Sequence, residues 1–238
     1  SASRPKTCAT YEAPEEGAAP ASEHQTMPLA GELVVGQRYF IGCHYTDSPG
    51  ELAYRDFFVY QPGEEGPVLE ALARELARDL PLPEPTPATS PPLDREQIVG
   101  LPTWLWIDPA DWRPVSLAVE LGGFEVAVTA TPARLDWDLG EHEDARVTCH
   151  GPGTPWTPEA EAAGRTSDCA WVFQRVPDPP ATAYPASVTL VWDVSYTATG
   201  QAGGSLGRNA TTTGFELQVA ERQAVVCYDT PAGSCDPA

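Results

Sequence analysis

The rhythm of apolar and polar positions changes twice along the chain. Leu33-Val34-Val35 and the run from Arg38 to Tyr45 are rich in aromatic and β-branched residues and predict strand, as does Tyr54 to Tyr60. Thr46-Asp47-Ser48-Pro49-Gly50 between them carries turn chemistry. Leu69, Leu72, Leu76 and Leu80 then recur at three- and four-residue spacing, which predicts one amphipathic helix. Pro67 suits its first turn, Glu64, Glu65 and Glu70 lie toward its start, Arg74 and Arg78 toward its end, and Pro81 stops it. Its apolar stripe is expected to pack on the N-terminal strands.

Residues 81–92 (PLPEPTPATSPP) favour stiff polyproline II and form the natural boundary. Beyond residue 98 the period falls to two. Val115 to Leu121 alternates, Gly122-Gly123 turns, and Phe124 to Ala130 alternates again, predicting a hairpin. Ala133 to Trp137, Ala145 to Cys149 and Cys169 to Arg175 are further short strands. Val188, Leu190, Trp192, Val194 and Tyr196 share one face of a long strand, and Phe215, Leu217 and Val219 begin the last. The fold class is therefore mainly β. An N-terminal arm with a small α+β region containing one helix (1–80) precedes a proline-rich connector (81–97), a sandwich or barrel (98–228) and a tail (229–238).

Trp137-Asp138-Leu139-Gly140-Glu141, at a strand end after a hairpin, resembles the tryptophan–aspartate–phenylalanine–glycine–aspartate signature of polycystic-kidney-disease (PKD) domains. The resemblance covers about residues 98–222 and implies an immunoglobulin-like β-sandwich. It implies that Trp137 anchors the core and that Asp138 and Gly140 shape a tight turn. Leu139 replaces the family's aromatic residue, and His142 stands where glycine usually closes the turn. The segment from Leu101 to Ile107, the Trp137 motif and the Gly151-Pro152-Gly153-Thr154-Pro155 stretch also look similar to secreted actinobacterial proteins of unknown function. The nucleotide-binding label that many of those carry has no support here, because no phosphate-cradling GxxxxGK[ST] sequence is present.

Composition narrows the partners. With 34 acidic and 14 basic residues the formal charge is -20. Phosphate affinity comes from Lys and Arg displacing counterions, so nucleic acid and anionic membrane surfaces are disfavoured. Lys6 is the only lysine. No run approaches about twenty apolar residues, so no helical membrane insertion is expected. The start at Ser1-Ala2-Ser3 fits a chain after signal cleavage, with no lipid-bearing cysteine at its head. Six cysteines in local pairs point to an oxidising compartment. The pairs nearest in sequence are Cys8–Cys43, Cys149–Cys169 and Cys227–Cys235. The second would staple a long Gly/Pro/Thr-rich insertion.

Four groups of residues are chemically suggestive. Gly203-Gly204-Ser205-Leu206-Gly207 matches the spacing of a nucleophile elbow, but His24, His44, His142 and His150 all precede Ser205, and the flanks read as strands. A hairpin loop is expected there, and no enzyme. Asp136, Asp138, Glu141, Glu143 and Asp144 are candidate oxygen ligands for Ca²⁺, with His142 and His150 as possible additions, although the spacing is not that of an EF-hand. A solvated turn is the plainer reading, and no other cofactor is implied. Trp104 and Trp106 would project from one face of a strand, with Trp112 nearby, as a glycan or partner surface or as core.

These features point to a secreted or cell-surface structural or interaction protein. A proline-rich arm is ordered when something pins it, and a neighbouring copy in an extracellular filament would do so, making a homo-oligomer one expectation. A glycan-binding module or accessory of a polysaccharide-active enzyme is the first alternative. An envelope component of a secretion or conjugation apparatus is the second.

Overall fold

The computed structural model describes Arg4, residues 6–13, Leu29, residues 32–121 and residues 124–222. The fold is mainly β, with several antiparallel sheets. The chain divides into two compact units, each assembled from three separate stretches.

The first unit takes Ser1–Pro83, Arg113–Ala133 and Val191–Ala210. Strands β1 (Lys6–Glu12), β2 (Arg38–Tyr45) and β3 (Ser48–Val59) form an antiparallel sheet in the order β1-β2-β3. Central β2 is buried continuously from Tyr39 to Cys43, which explains its unbroken apolar run. Cys8 and Cys43 face each other directly across β1 and β2 with Cα atoms 4.0 Å apart, and they form a disulfide. Helix α1 (Gly66–Ala77) starts with proline in its first turn. It buries Val68, Leu69, Leu72, Ala73 and Leu76 and packs on β3. Strand β7 (Val115–Leu121) pairs antiparallel with the first half of a long strand β8 (Phe124–Asp138), from Val115 opposite Ala130 to Leu121 opposite Phe124. The predicted Gly122-Gly123 turn lies outside the described residues.

The second unit takes Glu84–Trp112, Arg134–Leu190 and Thr211–Ala238. Strands β4 (Pro87–Ser90), β6 (Pro102–Ile107) and β10 (Ala170–Val172) form an antiparallel sheet in the order β10-β6-β4. Strands β5 (Gln97–Ile98) and β13 (Val219–Ala220) form a parallel pair. Strand β9 (Arg146–Cys149) pairs with the far half of β8. A short helix α2 (Pro158–Ala162) lies between Cys149 and Cys169, which are disulfide-bonded. Strands β11 (Tyr184–Ala198) and β12 (Gln201–Leu217) complete the sheet β12-β11-β8-β7. Strands β8, β11 and β12 each run from one unit into the other.

Several expectations change. Leu33-Val34-Val35 are not strand, and Val34 and Val35 are exposed, because the turn at residues 35–36 precedes β2. The turn before β3 is only Thr46-Asp47, with Pro49 and Gly50 inside the strand. Part of the connector forms β4, whose Pro87 occupies the first position of an edge strand, where a missing donor is tolerated. The stretch 133–137 is no separate strand but the continuation of β8. A second helix, α2, adds to the single one expected. The GGSLG sequence is not a loop; it lies inside β12, and the turn is Thr199-Gly200. Arg113–Ala133 and Val191–Ala210, which lie within the 98–228 segment, group with Ser1–Pro83 in one compact unit. The predicted Cys227–Cys235 pair lies outside the described residues.

Candidate functional site

Strand β6 alternates cleanly. Thr103, Leu105 and Ile107 are buried, while Trp104 and Trp106 turn to the opposite, half-open face. Across the sheet Trp104 faces Ser90 of β4 and Ala170 of β10, and Trp106 faces Ala88. A third indole, Trp156, joins them from the loop ahead of α2. That loop is held tightly. Ile107 N–H donates to Pro152 O at 2.9 Å, and Leu105 N–H donates to Cys169 O at 2.9 Å. Gly153 has φ of +80°, and a Cβ there would come within 2.3 Å of Leu105 O. Thr157 Oγ1 accepts the Ala160 N–H at 3.1 Å as a cap.

The outcome is two adjoining recesses that share Trp156. One has a volume of about 620 Å³ and is lined by Trp104, Trp156, Leu101, Arg165, Thr166 and Ser167, among others. The other, also about 620 Å³, is lined by Trp106, Trp156, Pro87 to Ser90 and Pro92 to Asp94. Both fall within the size of small-ligand sites. Among the described residues the indole N–H groups of Trp104, Trp106 and Trp156 make no hydrogen bond, and the Arg165 guanidinium pairs with no carboxylate.

The wall is braced by Gln97, which is fully buried. Its Nε2 donates to the carbonyls of Pro91 at 3.0 Å and Arg95 at 3.2 Å, and its Oε1 accepts from Thr103 Oγ1 at 3.1 Å. Thr89 Oγ1 donates to Pro91 O at 2.6 Å. The Pro-rich turn is thereby fixed, consistent with the rule that buried polar groups find partners. Neither Gln97 nor Trp156 stood out in the sequence. The third tryptophan expected at this surface, Trp112, is half-buried in the turn after Asp108 and lines neither recess.

The carboxylates around the Trp137 turn do not converge. Arg134 and Thr148 donate to Asp136 at 2.9 Å each. Asp138 Oδ1 accepts from Gly140 N–H at 3.1 Å, and its other oxygen accepts from Arg146 at 3.3 Å. Glu141 is 3% exposed and accepts from Trp171 Nε1 at 3.1 Å, Gln174 N–H at 2.6 Å and Arg175 N–H at 3.0 Å. Glu143 and Asp144 are exposed. Among the described residues no three His, Cys, Asp or Glu side chains gather as a metal site. The physical reason is that Glu141 turns inward as a strut, Asp136 and Asp138 pair with Arg134 and Arg146, and Glu143 and Asp144 face solvent.

Trp137 itself is buried, with its ring edge-on to Phe215 at 6.1 Å. Gly140 has φ of +70°, and a Cβ there would lie 2.0 Å from Pro185 O. Tyr184 stacks on Phe173 and donates to Arg175 O at 3.1 Å; burial pushes its phenol above the usual tyrosine range. Ser205 is exposed in β12, and its Oγ accepts the Gly207 N–H at 3.2 Å. His44 packs edge-on to Tyr11, His142 Nδ1 accepts from Asp144 N–H, and His150 is exposed; His24 lies outside the described residues.

Comparison of the chain with family models, curated proteins and solved structures returns no match. The recess must therefore be read from its own chemistry.

Proposed function

We propose that this is a secreted, non-enzymatic interaction protein that holds a glycan chain against Trp104, Trp106 and Trp156. One observation supports the reading above others: three half-buried indoles with free N–H groups line two adjoining recesses on one small sheet. A sugar ring offers an apolar C–H face to an aromatic ring and hydroxyls to nearby polar groups, and tryptophan serves both needs. Thr166 and Arg165 border one recess, Ser90 and Asp94 the other. Two disulfides accord with an oxidising compartment, and among the described residues no helix is long and apolar enough to cross a membrane. The PKD-like motif fits the same reading, in which Trp137, Asp138 and Gly140 build the frame and leave contact to other faces.

Titration with a panel of neutral and acidic soluble polysaccharides, followed by tryptophan fluorescence, tests it. Saturable binding to at least one is expected. Trp156→Ala and the Trp104→Ala, Trp106→Ala double variant should each weaken it roughly tenfold, equivalent to about 1.4 kcal/mol. Absence of binding across the panel, or variants that bind as well as the parent, would defeat the reading.

A second reading, self-association, rests on β3. Among the described residues this strand has one hydrogen-bonded neighbour, β2, and it exposes Phe57 (41%) and Val59 (52%). An unpaired edge with apolar side chains is a template for another strand, here one from a second copy.

A further inference from the structure

The only lysine of the chain is buried among acids. Lys6 on β1 is 8% exposed, and its Nζ lies 2.5 Å from Glu75 Oε1 and 3.0 Å from Asp79 Oδ2. Those side chains are 9% and 10% exposed. A chain that otherwise uses arginine for its positive charges thus places its one primary side-chain amine where it is hard to solvate. Guanidinium does not attack a carboxyl carbon; a neutral amine does. Withdrawing an ion pair from water is costly, and replacing such a pair by apolar residues is often neutral or stabilising. A buried amine touching two acids therefore invites a chemical explanation as well as a structural one.

The two acids are not equivalent. Glu75, in α1, spends its second oxygen on Arg78 Nη1 at 2.6 Å, which fixes the carboxylate with its other oxygen against the amine. Asp79 lies just past the end of α1, beyond the helical residues, with Oδ2 facing the amine. The ring of Tyr45 lies 5.6 Å from Nζ on the same site.

We propose that Lys6 Nζ and Asp79 Cγ become joined by an amide bond within the folded protein, with Glu75 carrying the proton. Glu75 takes a proton from the ammonium. The freed lone pair attacks Cγ of Asp79 and forms the C–N bond. That proton and the second one, which the nitrogen sheds as the amide forms, both pass through Glu75 to the departing carboxyl oxygen; the C–O bond breaks and water leaves. Ammonium plus carboxylate gives amide plus one water, so charge and atoms balance and no oxidant or cofactor is needed. The Nζ···Oδ2 contact of 3.0 Å holds the amine against the carboxyl group whose carbon it attacks, which replaces a bimolecular encounter by a fixed one. Burial works against the ammonium, but the hydrogen bonds and charges of Glu75 and Asp79 outweigh it and hold Lys6 above the usual lysine range. The reaction therefore proceeds from the minor neutral form and is slow.

Intact-mass measurement of the purified, fully reduced protein decides the matter. The expected mass is that of the sequence less one water, and peptide mapping should give a branched species joining the Lys6 and Asp79 segments. Asp79→Ala and Lys6→Arg should restore the full mass, and Glu75→Gln should leave a larger uncondensed fraction at equal age. A reduced parent protein of full mass after prolonged incubation, or a branch at Glu75 in place of Asp79, overturns the proposal. The parent measurement alone suffices, so a variant that fails to fold does not blunt the test.

Discussion

Glu141 shows how one side chain can be misjudged from its neighbours. In sequence it sits among four other acids and looks like a cation ligand; in the fold it is a buried acceptor for two backbone N–H groups and the Trp171 indole. Glu141→Ala leaves three donors without a partner, and the expected loss is about 3 kcal/mol, since each stranded buried group costs about 1–3 kcal/mol and neighbours relax in part. Glu143→Ala, at an exposed position, should change stability by less than about 0.5 kcal/mol. Urea denaturation of both variants, with and without Ca²⁺, checks this; equal midpoints, or a Glu141→Ala loss recovered by Ca²⁺, would count against it. The neighbouring Asp138-to-Gly140 turn was legible because its chemistry is local: a carboxylate two residues before a glycine N–H, and a glycine with positive φ. Gln97 and Trp156 were not legible. Their roles depend on chain that is remote in sequence, and no periodicity marks them.

Among the elements, α1, β7 and the first half of β8 followed from period, because in each the apolar positions are more buried than the positions that alternate with them. Strand β12 did not. Its residues from Gln201 to Gly214 have almost no buried position, so no alternation of apolar and polar marks it, and its structure comes from pairing with β11. The strands also bring tyrosines into apolar surroundings. Burial raises the phenols of Tyr11 on β1, Tyr54 on β3 and Tyr184 on β11, and for Tyr54 the charge of Asp56 adds to it. Each of these groups holds its proton more firmly folded than unfolded. Below about pH 10, the unfolded tyrosine value, they leave stability unchanged; as pH rises above it, the unfolded chain loses protons that the folded one keeps, and stability falls. For well-buried Tyr11 and Tyr184 the slope should be roughly 1 kcal/mol per pH unit each. Denaturant midpoints measured from pH 8 to pH 11 should hold steady and then drop; a rise above pH 10 would contradict the assignment.

For the whole molecule, charge opposes the self-association suggested by the β3 edge. At -20, two copies repel at long range, and salt screens this over about 10 Å at 0.1 M. Sedimentation at rising concentration should show a 25.5 kDa monomer at low salt and larger species at about 0.5 M salt. Phe57→Glu, which places a charge on the exposed edge, should keep the protein monomeric in both; association that is insensitive to salt and to this variant would remove β3 as the contact. Overall β content was legible from the chain, because period reports local preference, whereas the grouping of strands into two units follows from which distant strands meet.

Because β8, β11 and β12 each lend one half to either unit, neither unit corresponds to a single stretch of gene. Recombination at residue 83 would hand on an incomplete set of strands on both sides. Such a pair of units is inherited as one indivisible piece, and a gain or loss of length is tolerated only at its turns.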